Sequence, residues 1–411
     1  MFTLFCSTRG PAAAHRAPPD RPARPERIGA GMSAEPWRST DAELDARVAH
    51  MLARDSLNLG QSSDQDRLML MLTRSCELRC SYCFVGLTEA GRGQDHPGAA
   101  DPVTLAEPPG QPVGDMSAAT LQRAVDWLMR SERERLGLQF FGGEPTRRFT
   151  HVRAAMRYAL QHPQRAGRPL EFLLTTNGLS LNAARLGALD GLPLTVQFSL
   201  DGDAVGSRFR RGHVASAEVV GQATERAIDA LQQSGLSWFM NATLPPAAAE
   251  EVEARYAWAR ARGVPALQLN YATGMDWRPE QQAAYLRGLW AVLGDHRARP
   301  EGLRLLNWAN GADPAPLCGD MIVDVDGGVY QVGALFHERR SPALKASYRI
   351  GHLDGLQAGR FTDRRWRLSA LADRTRQALS GRPLEIFFDN VRLGAAVDLL
   401  VERAHALGAP P

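Results

Sequence analysis

The sequence predicts an α/β protein, a partial (β/α)6 barrel of the TIM type with a small C-terminal α+β extension. Three observations point there. From Arg67 onward, short apolar runs with strand character alternate with longer segments of helical periodicity. Six such units in succession build a parallel sheet with helices outside it. The residue clusters that carry distinctive chemistry fall just after the strand-like runs, where barrels gather their reactive groups.

Taken in order, residues 1–40 are rich in Pro, Ala and Arg and lack apolar periodicity, so they read as disordered. Their Arg-rich, acid-poor character leaves open a transit peptide or a true start at Met32, with Cys6 irrelevant to function. Residues 41–66 are a helical lead-in, with Leu44, Val48, Met51 and Leu52 on one side. The barrel spans 67–295, with strands expected at 68–73, 137–141, 170–175, 194–199, 238–243 and 266–270. Helices are expected at 118–130, 151–161 and 217–233. Residues 87–115 are polar and aperiodic and read as a loop, either a lid or plain disorder. The extension, 296–411, opens with a hairpin at 318–330, where residues alternate around Asp326-Gly327-Gly328. A short strand or turn follows at 348–353. Helices from about 365 carry Leu368, Leu371, Leu379, Val397, Leu400 and Val401 to the barrel or a partner.

A chain of 411 residues with 44% hydrophobic residues has room for two or three domains. A formal charge of +3 gives no reason to expect nucleic acid, and no apolar run is long enough to span a membrane. Five cysteines do not make a disulfide scaffold, and a reducing cytoplasm suits clustered thiolates. Lys345 is the only lysine, and the arginine bias is what a GC-rich genome produces. No Walker lysine follows a glycine loop, which excludes P-loop phosphate binding, and Lys345 sits in no motif for a Schiff base. HExxH is absent as well.

The most telling feature is Cys76-Glu77-Leu78-Arg79-Cys80-Ser81-Tyr82-Cys83, three of five cysteines within eight residues. Such thiolates hold a metal or cycle through disulfides. One reading is a four-iron cluster with one iron left without a protein ligand; the other is a zinc site completed by a distant histidine. A second motif, Gly142-Gly143-Glu144-Pro145, closes the apolar run Leu138-Gln139-Phe140-Phe141. A third strand-like run ends in Thr175-Thr176-Asn177-Gly178. A fourth ends in Ser199-Leu200-Asp201-Gly202, followed by Arg208-Phe209-Arg210-Arg211-Gly212.

CxxxCxxC with an aromatic before the last cysteine, followed by GGEP, resembles the radical S-adenosylmethionine (SAM) superfamily. The resemblance implies one 4Fe–4S cluster held by Cys76, Cys80 and Cys83, with SAM chelated at the open iron. It implies a SAM site formed by Tyr82, Gly142, Gly143, Glu144, Pro145, Asn177, Ser199 and Arg211. Glu144 would meet the ammonium of SAM, with charge-assisted hydrogen bonds. Ser199 and a downstream arginine would meet ribose and carboxylate; spacing favours Arg211, with Arg208 and Arg210 as competitors.

The order Cys318-Gly319, Asp324-Val325-Asp326-Gly327, Val329-Tyr330 and Gly351-His352-Leu353 is similar to the SPASM extension of the peptide-modifying branch. There a cysteine follows the Val-Tyr pair; here the chain reads Gln331-Val332-Gly333. Cys318 alone holds no cluster, so a degenerate SPASM/twitch-like extension without auxiliary iron is expected. Gly333 stands where sulfatase maturases carry a basic aspartate, so that role is not carried over. Cys318 is either a hydrogen donor or a relic.

The resemblance implies a cytoplasmic enzyme that cleaves SAM reductively and modifies a ribosomally made precursor peptide or a protein, by crosslinking, epimerisation or a similar change. A low-potential donor such as flavodoxin or ferredoxin would supply the electron. The N-terminal stretch is too short for a winged helix, so a separate protein, or the barrel itself, would bind a leader. The alternatives are the same chemistry on a small molecule, and an iron–sulfur or zinc protein without turnover.

Overall fold

The computed structural model describes residues 35–53, 65–85, 114–203, 206–212, 216–309, 317, 320–338, 342–356, 361 and 366–407. Cys6, Met32, Cys318 and nearly all of the loop expected at 87–115 lie outside the described residues.

The strands are β1 Gln65–Met71, β2 Leu78–Cys80, β3 Arg135–Phe141, β4 Leu170–Thr176, β5 Leu194–Ser199, β6 Arg210–Gly212, β7 Ser237–Leu244, β8 Ala266–Tyr271, β9 Arg304–Leu305, β10 Met321–Val323, β11 Gly328–Gln331 and β12 Arg349–His352. The six strands expected from sequence are β1, β3, β4, β5, β7 and β8. They pair in parallel in that order, and β9 adds to β8. β1 is buried along its whole length and β3 almost so. Parallel strands covered on both faces are therefore apolar throughout rather than alternating.

The helices are α1 Asp41–Ala53, α2 Ala118–Met129, α3 Phe149–Gln161, α4 Ala183–Gly187, α5 Ala217–Gln233, α6 Val252–Ala261, α7 Pro279–Ala298, α8 Leu306–Ala309, α9 Pro342–Ser347, α10 Leu353–Leu356, α11 Leu368–Ala378 and α12 Gly381–Ala406. Ser117 opens α2 by accepting from Thr120 N at 3.0 Å, and Ser216 opens α5 through Val219 N. Both act as N-caps, satisfying amides that the first turn leaves without partners.

The extension does not stand apart from the barrel. β10 pairs in parallel with β1, and β11 and β12 follow antiparallel, so one ten-stranded sheet runs from β12 to β9. A second apolar cluster, with Leu344, Tyr348, Leu371, Phe387 and Val391, joins α9, α11 and α12. α12 is fixed to the barrel by Asn390. Its side chain accepts from Gly274 N at 3.0 Å and donates to Met275 O at 2.9 Å and Ile386 O at 2.7 Å. Tyr271 Oη donates to its carbonyl at 2.9 Å. No helix among the described residues is long and apolar enough to cross a membrane.

Asn390 is fully buried, so Asn390→Leu removes its three side-chain hydrogen bonds where water cannot replace them. The expected loss is about 1–3 kcal/mol, read as a lower urea midpoint with unchanged slope.

Candidate functional site

Strand ends β1, β3, β4, β5 and β7 converge on one cavity of about 700 Å³, part of it open to solvent. Cys76, Cys80 and Cys83 line it, together with Tyr82, Gly142, Gly143, Glu144, Asn177 and Ser199. Four segments far apart in sequence thus meet where the sequence placed the site.

Backbone contact makes this possible. Leu72 N donates to Phe141 O at 2.9 Å, Gly143 N to Thr73 O at 2.7 Å and Glu144 N to Ser75 O at 2.9 Å. A Cβ on Gly143 would lie 2.4 Å from Ser75 O, and one on Gly142 would lie 2.4 Å from Thr73 O. Gly142 also has φ +145°, which L side chains rarely adopt. The Gly-Gly pair is therefore required by close approach as well as by the turn.

The cysteine loop has a second support. β2 pairs antiparallel with β6, placing Cys80 opposite Arg210 and Arg79 opposite Arg211. Ser81 N donates to Phe209 O at 3.0 Å, and Cys83 N closes a turn on Cys80 O at 3.0 Å. Cys76 Sγ accepts from Leu78 N at 3.3 Å and from Asn177 Nδ2 at 3.7 Å. Burial pushes the Cys76 thiol well up, and nearby Glu144 adds to it. Burial raises Cys80 to about 12 against the pull of Arg210.

Glu144 is almost completely buried. Its Oε1 accepts from Thr146 N at 2.9 Å, Thr146 Oγ1 at 2.6 Å and Thr176 Oγ1 at 2.8 Å. Oε2 accepts from Asn177 N at 2.7 Å and keeps acceptor capacity toward the cavity. Burial raises its pKa, and the donors from Asn177 and Thr146 offset part of that rise. Glu144 thus also caps the short 3-10 turn Pro145–Arg148, which Pro145 opens. Pro145 itself is buried.

Tyr82 Oη donates to Asp201 Oδ2, and Thr243 N donates to Asp201 Oδ1 at 2.9 Å. Burial raises Asp201, while Arg210 pulls it back. Arg210 is 3% exposed. Its Nη2 donates to Asn177 O at 3.1 Å, and its Nη1 has no partner among the described residues. Asn241 Nδ2, also lining the cavity, is likewise without one. Of the three arginines weighed from sequence, Arg210 lines the cavity. Arg208 pairs with Glu251 and lies over the Phe209 ring at 4.3 Å. Arg211 contributes backbone pairing, and its side chain is outside the described residues.

Sequence reasoning included Asp201 in the Ser199–Gly202 motif without giving it a role of its own, and it did not single out Asn241 or Thr243. The signal available for all three was their position at the end of a strand. Among the described residues no three His, Cys, Asp or Glu side chains form a group suited to a single metal ion. The three thiols are instead arrayed on the wall of a larger cavity. Thiolate donors of this kind suit an iron–sulfur cluster. The orphaned Arg210 Nη1 suits an anionic oxygen, and Glu144 Oε2 suits a cation.

No protein-family model and no curated protein matches the sequence. Solved structures do share the fold. The chain superimposes on native anSMEcpe with bound AdoMet and Cp18Cys peptide at a TM-score of 0.61, with 14% identity, over 84% of this chain and 100% of that one. A histidine-tagged form of anSMEcpe with bound AdoMet gives a TM-score of 0.59, with 15% identity, over 83% and 95%. The likeness covers more than four-fifths of this chain and shows that it shares the fold of anSMEcpe.

Gly143→Ala is expected to destabilise the metal-free chain by about 1–3 kcal/mol, because the clash is with backbone that cannot swing aside. Denaturant unfolding measures it. A variant of wild-type stability would mean that the 73–75 segment moves freely.

Proposed function

We propose that this chain is a radical SAM enzyme that modifies a peptide or protein. The observation that carries the reading is the shared cavity: three thiols, a buried carboxylate with acceptor capacity, and a buried guanidinium with an unsatisfied N–H. Cys76, Cys80 and Cys83 would hold one 4Fe–4S cluster. When bound, cluster and SAM together supply a 5′-deoxyadenosyl radical able to take hydrogen from an unactivated carbon.

The chain's own residues do the positioning. Glu144 Oε2 and the Gly142–Gly143 turn receive the ammonium of SAM. Arg210 takes its carboxylate, the role that spacing gave to Arg211, because a buried N–H without an acceptor gains most from a charged one. Ser199 and Asn241 offer hydrogen bonds to the ribose. Tyr82 is held by Asp201 and shapes the wall next to Cys83. Leu78 N and Asn177 Nδ2, directed at Cys76 Sγ, would stabilise negative charge on that sulfur and so tune the potential. Phe84 stacks on Phe141 with ring centroids 6.2 Å apart, and both line the cavity with Val85, keeping this side dry.

A peptide substrate is supported by the fold shared with anSMEcpe, whose structure includes a bound peptide. The precursor peptide, the low-potential donor, a separate leader-binding protein and a cytoplasmic setting all belong to this reading. So does the division into a 67–295 barrel and a 296–411 extension without auxiliary iron.

Anaerobic reconstitution is expected to give about four irons per chain and, with SAM and reductant, 5′-deoxyadenosine. Alanine at Cys76, Cys80 or Cys83 should abolish both. Incubation with peptides encoded beside the gene should give a mass shift that requires SAM. Zinc in place of iron, or no nucleoside, would overturn the proposal.

Arg210→Met should raise KM for SAM roughly ten- to hundredfold, as loss of a charge-assisted hydrogen bond implies. Arg211→Met should have a smaller effect. The reverse order in a steady-state assay would return the carboxylate role to Arg211.

A further inference from the structure

Between the barrel and the extension lies a group of four charged side chains that the proposed chemistry does not use. Arg74 Nη2 is 2.6 Å from Asp324 Oδ2 and 2.8 Å from Glu338 Oε1, and its Nη1 is 3.0 Å from Glu338 Oε2. Lys345 Nζ stands 2.5 Å from the same Asp324 Oδ2 and 2.5 Å from the same Glu338 Oε1. The four side chains are between 1% and 8% exposed. Two cations and two anions close a square in which each carboxylate bridges both cations.

Three features set this lattice apart from an ordinary buried ion pair. First, Arg74 lies two residues before Cys76. Its backbone segment, 73–75, is the one hydrogen-bonded on its other side to Gly143 and Glu144. The segment is therefore held between the Gly-Gly turn and the lattice. Second, the other three members come from the extension: Asp324 at the β10–β11 turn, Glu338 beyond β11 and Lys345 on α9. Third, of the 48 lysine and arginine residues, Lys345 is the one lysine. A compact ammonium fits between two carboxylates already gripped by a bidentate guanidinium, and it lies 5.0 Å from the centre of the Tyr330 ring. A planar fork is larger and points its donors differently.

We propose that Lys345 is a positioning residue for the cysteine loop: through Asp324, Glu338 and Arg74 the extension fixes the 73–76 segment, and with it the first thiolate and the floor of the SAM site. Removing the ammonium takes a buried positive partner away from both Asp324 and Glu338, a loss that buried sites tolerate poorly. The segment able to relieve it is the one that leads into Cys76. The inference rests on the proposed function for its link to SAM, though not for the link between Lys345 and the loop.

The test compares wild type with Lys345→Met, Lys345→Arg and the charge-balanced pair Glu338→Gln/Lys345→Met. Hydrogen–deuterium exchange of the metal-free chains reads the loop directly. Lys345→Met should speed exchange in peptides covering 72–84 at least tenfold while α5 and α6 stay at wild-type rates. In reconstituted protein, Lys345→Met should retain less than half the wild-type iron after desalting and raise KM for SAM at least fivefold. Its kcat per loaded cluster should stay within twofold. The balanced pair should recover thermal stability but not KM, and Lys345→Arg should keep KM raised at least threefold.

Lower stability in Lys345→Met with loop exchange and KM at wild-type values would reduce the lattice to packing and overturn the proposal. Wild-type behaviour of Lys345→Arg would overturn the requirement for lysine. If Lys345→Met does not fold, the balanced pair and Lys345→Arg decide by the same readings. If wild type itself forms no nucleoside, the proposed function fails, and the exchange data still decide the link between lattice and loop.

Discussion

Everything chemical in this molecule depends on how closely two pieces of backbone approach each other. The chain leaving β1 and the chain leaving β3 run side by side with no side chain between them. That closeness joins the cysteine loop to the GGEP turn. Any Cβ at Gly143 would push against Ser75, and a shift there moves Cys76, the next residue. Sheet register prepares the contact, since Met71 and Phe141 end their strands in step. The hydrogen bonds of Gly143 and Glu144 then carry the pairing past the strand ends into the site.

The site assembled this way buries several acidic groups together. Glu144, Asp201, Cys76 and Cys80 all have their ionisation made harder by burial. For the two carboxyl groups the sign is clear. A pKa raised in the folded state means that stability declines as pH climbs through the interval above the unfolded value. A cationic group beside Glu144 would relieve part of this burden. Metal would claim the thiols as thiolates and release their protons. A site built this way gains stability from what it binds, and such tension is common where function is concentrated.

Much of the barrel was readable in advance because its signals are local. All six core strands sit where apolar runs predicted them, with ends within three residues, and α5 Ala217–Gln233 has the expected bounds. That the cysteines and the Gly-Gly turn share one cavity was legible for the same reason, since each motif is contiguous and follows a strand. What escaped were partnerships across long separations. Asp201 stood in the Ser199–Gly202 motif, but its partner Tyr82 donates to it from 119 positions away, a pairing no local pattern encodes. Arg210 and Arg211 differ by one position, a distinction that pattern matching does not make. The hairpin was expected, but its parallel pairing with β1 depends on a return of some 250 residues that no local period encodes.

The C-terminal strands and helices are joined to the barrel by several kinds of contact among the described residues. Pairing of β10 with β1 supplies the backbone bonds, Asn390 ties α12 to the end of β8, and a neutral square of four charges fills the seam. Burial alone would push Asp324 up, yet Arg74 and Lys345 hold it below its ordinary range. Burial alone would push Lys345 down, yet Asp324 and Glu338 hold it above its ordinary value. Each charge is thus kept by the others, and removal of any one strands its partners in a medium that does not solvate them. A hydrophobic seam would hold the pieces together about as well, but it would not fix the direction of Arg74. The ionic seam does, and Arg74 is where the extension meets the loop that carries the first cysteine.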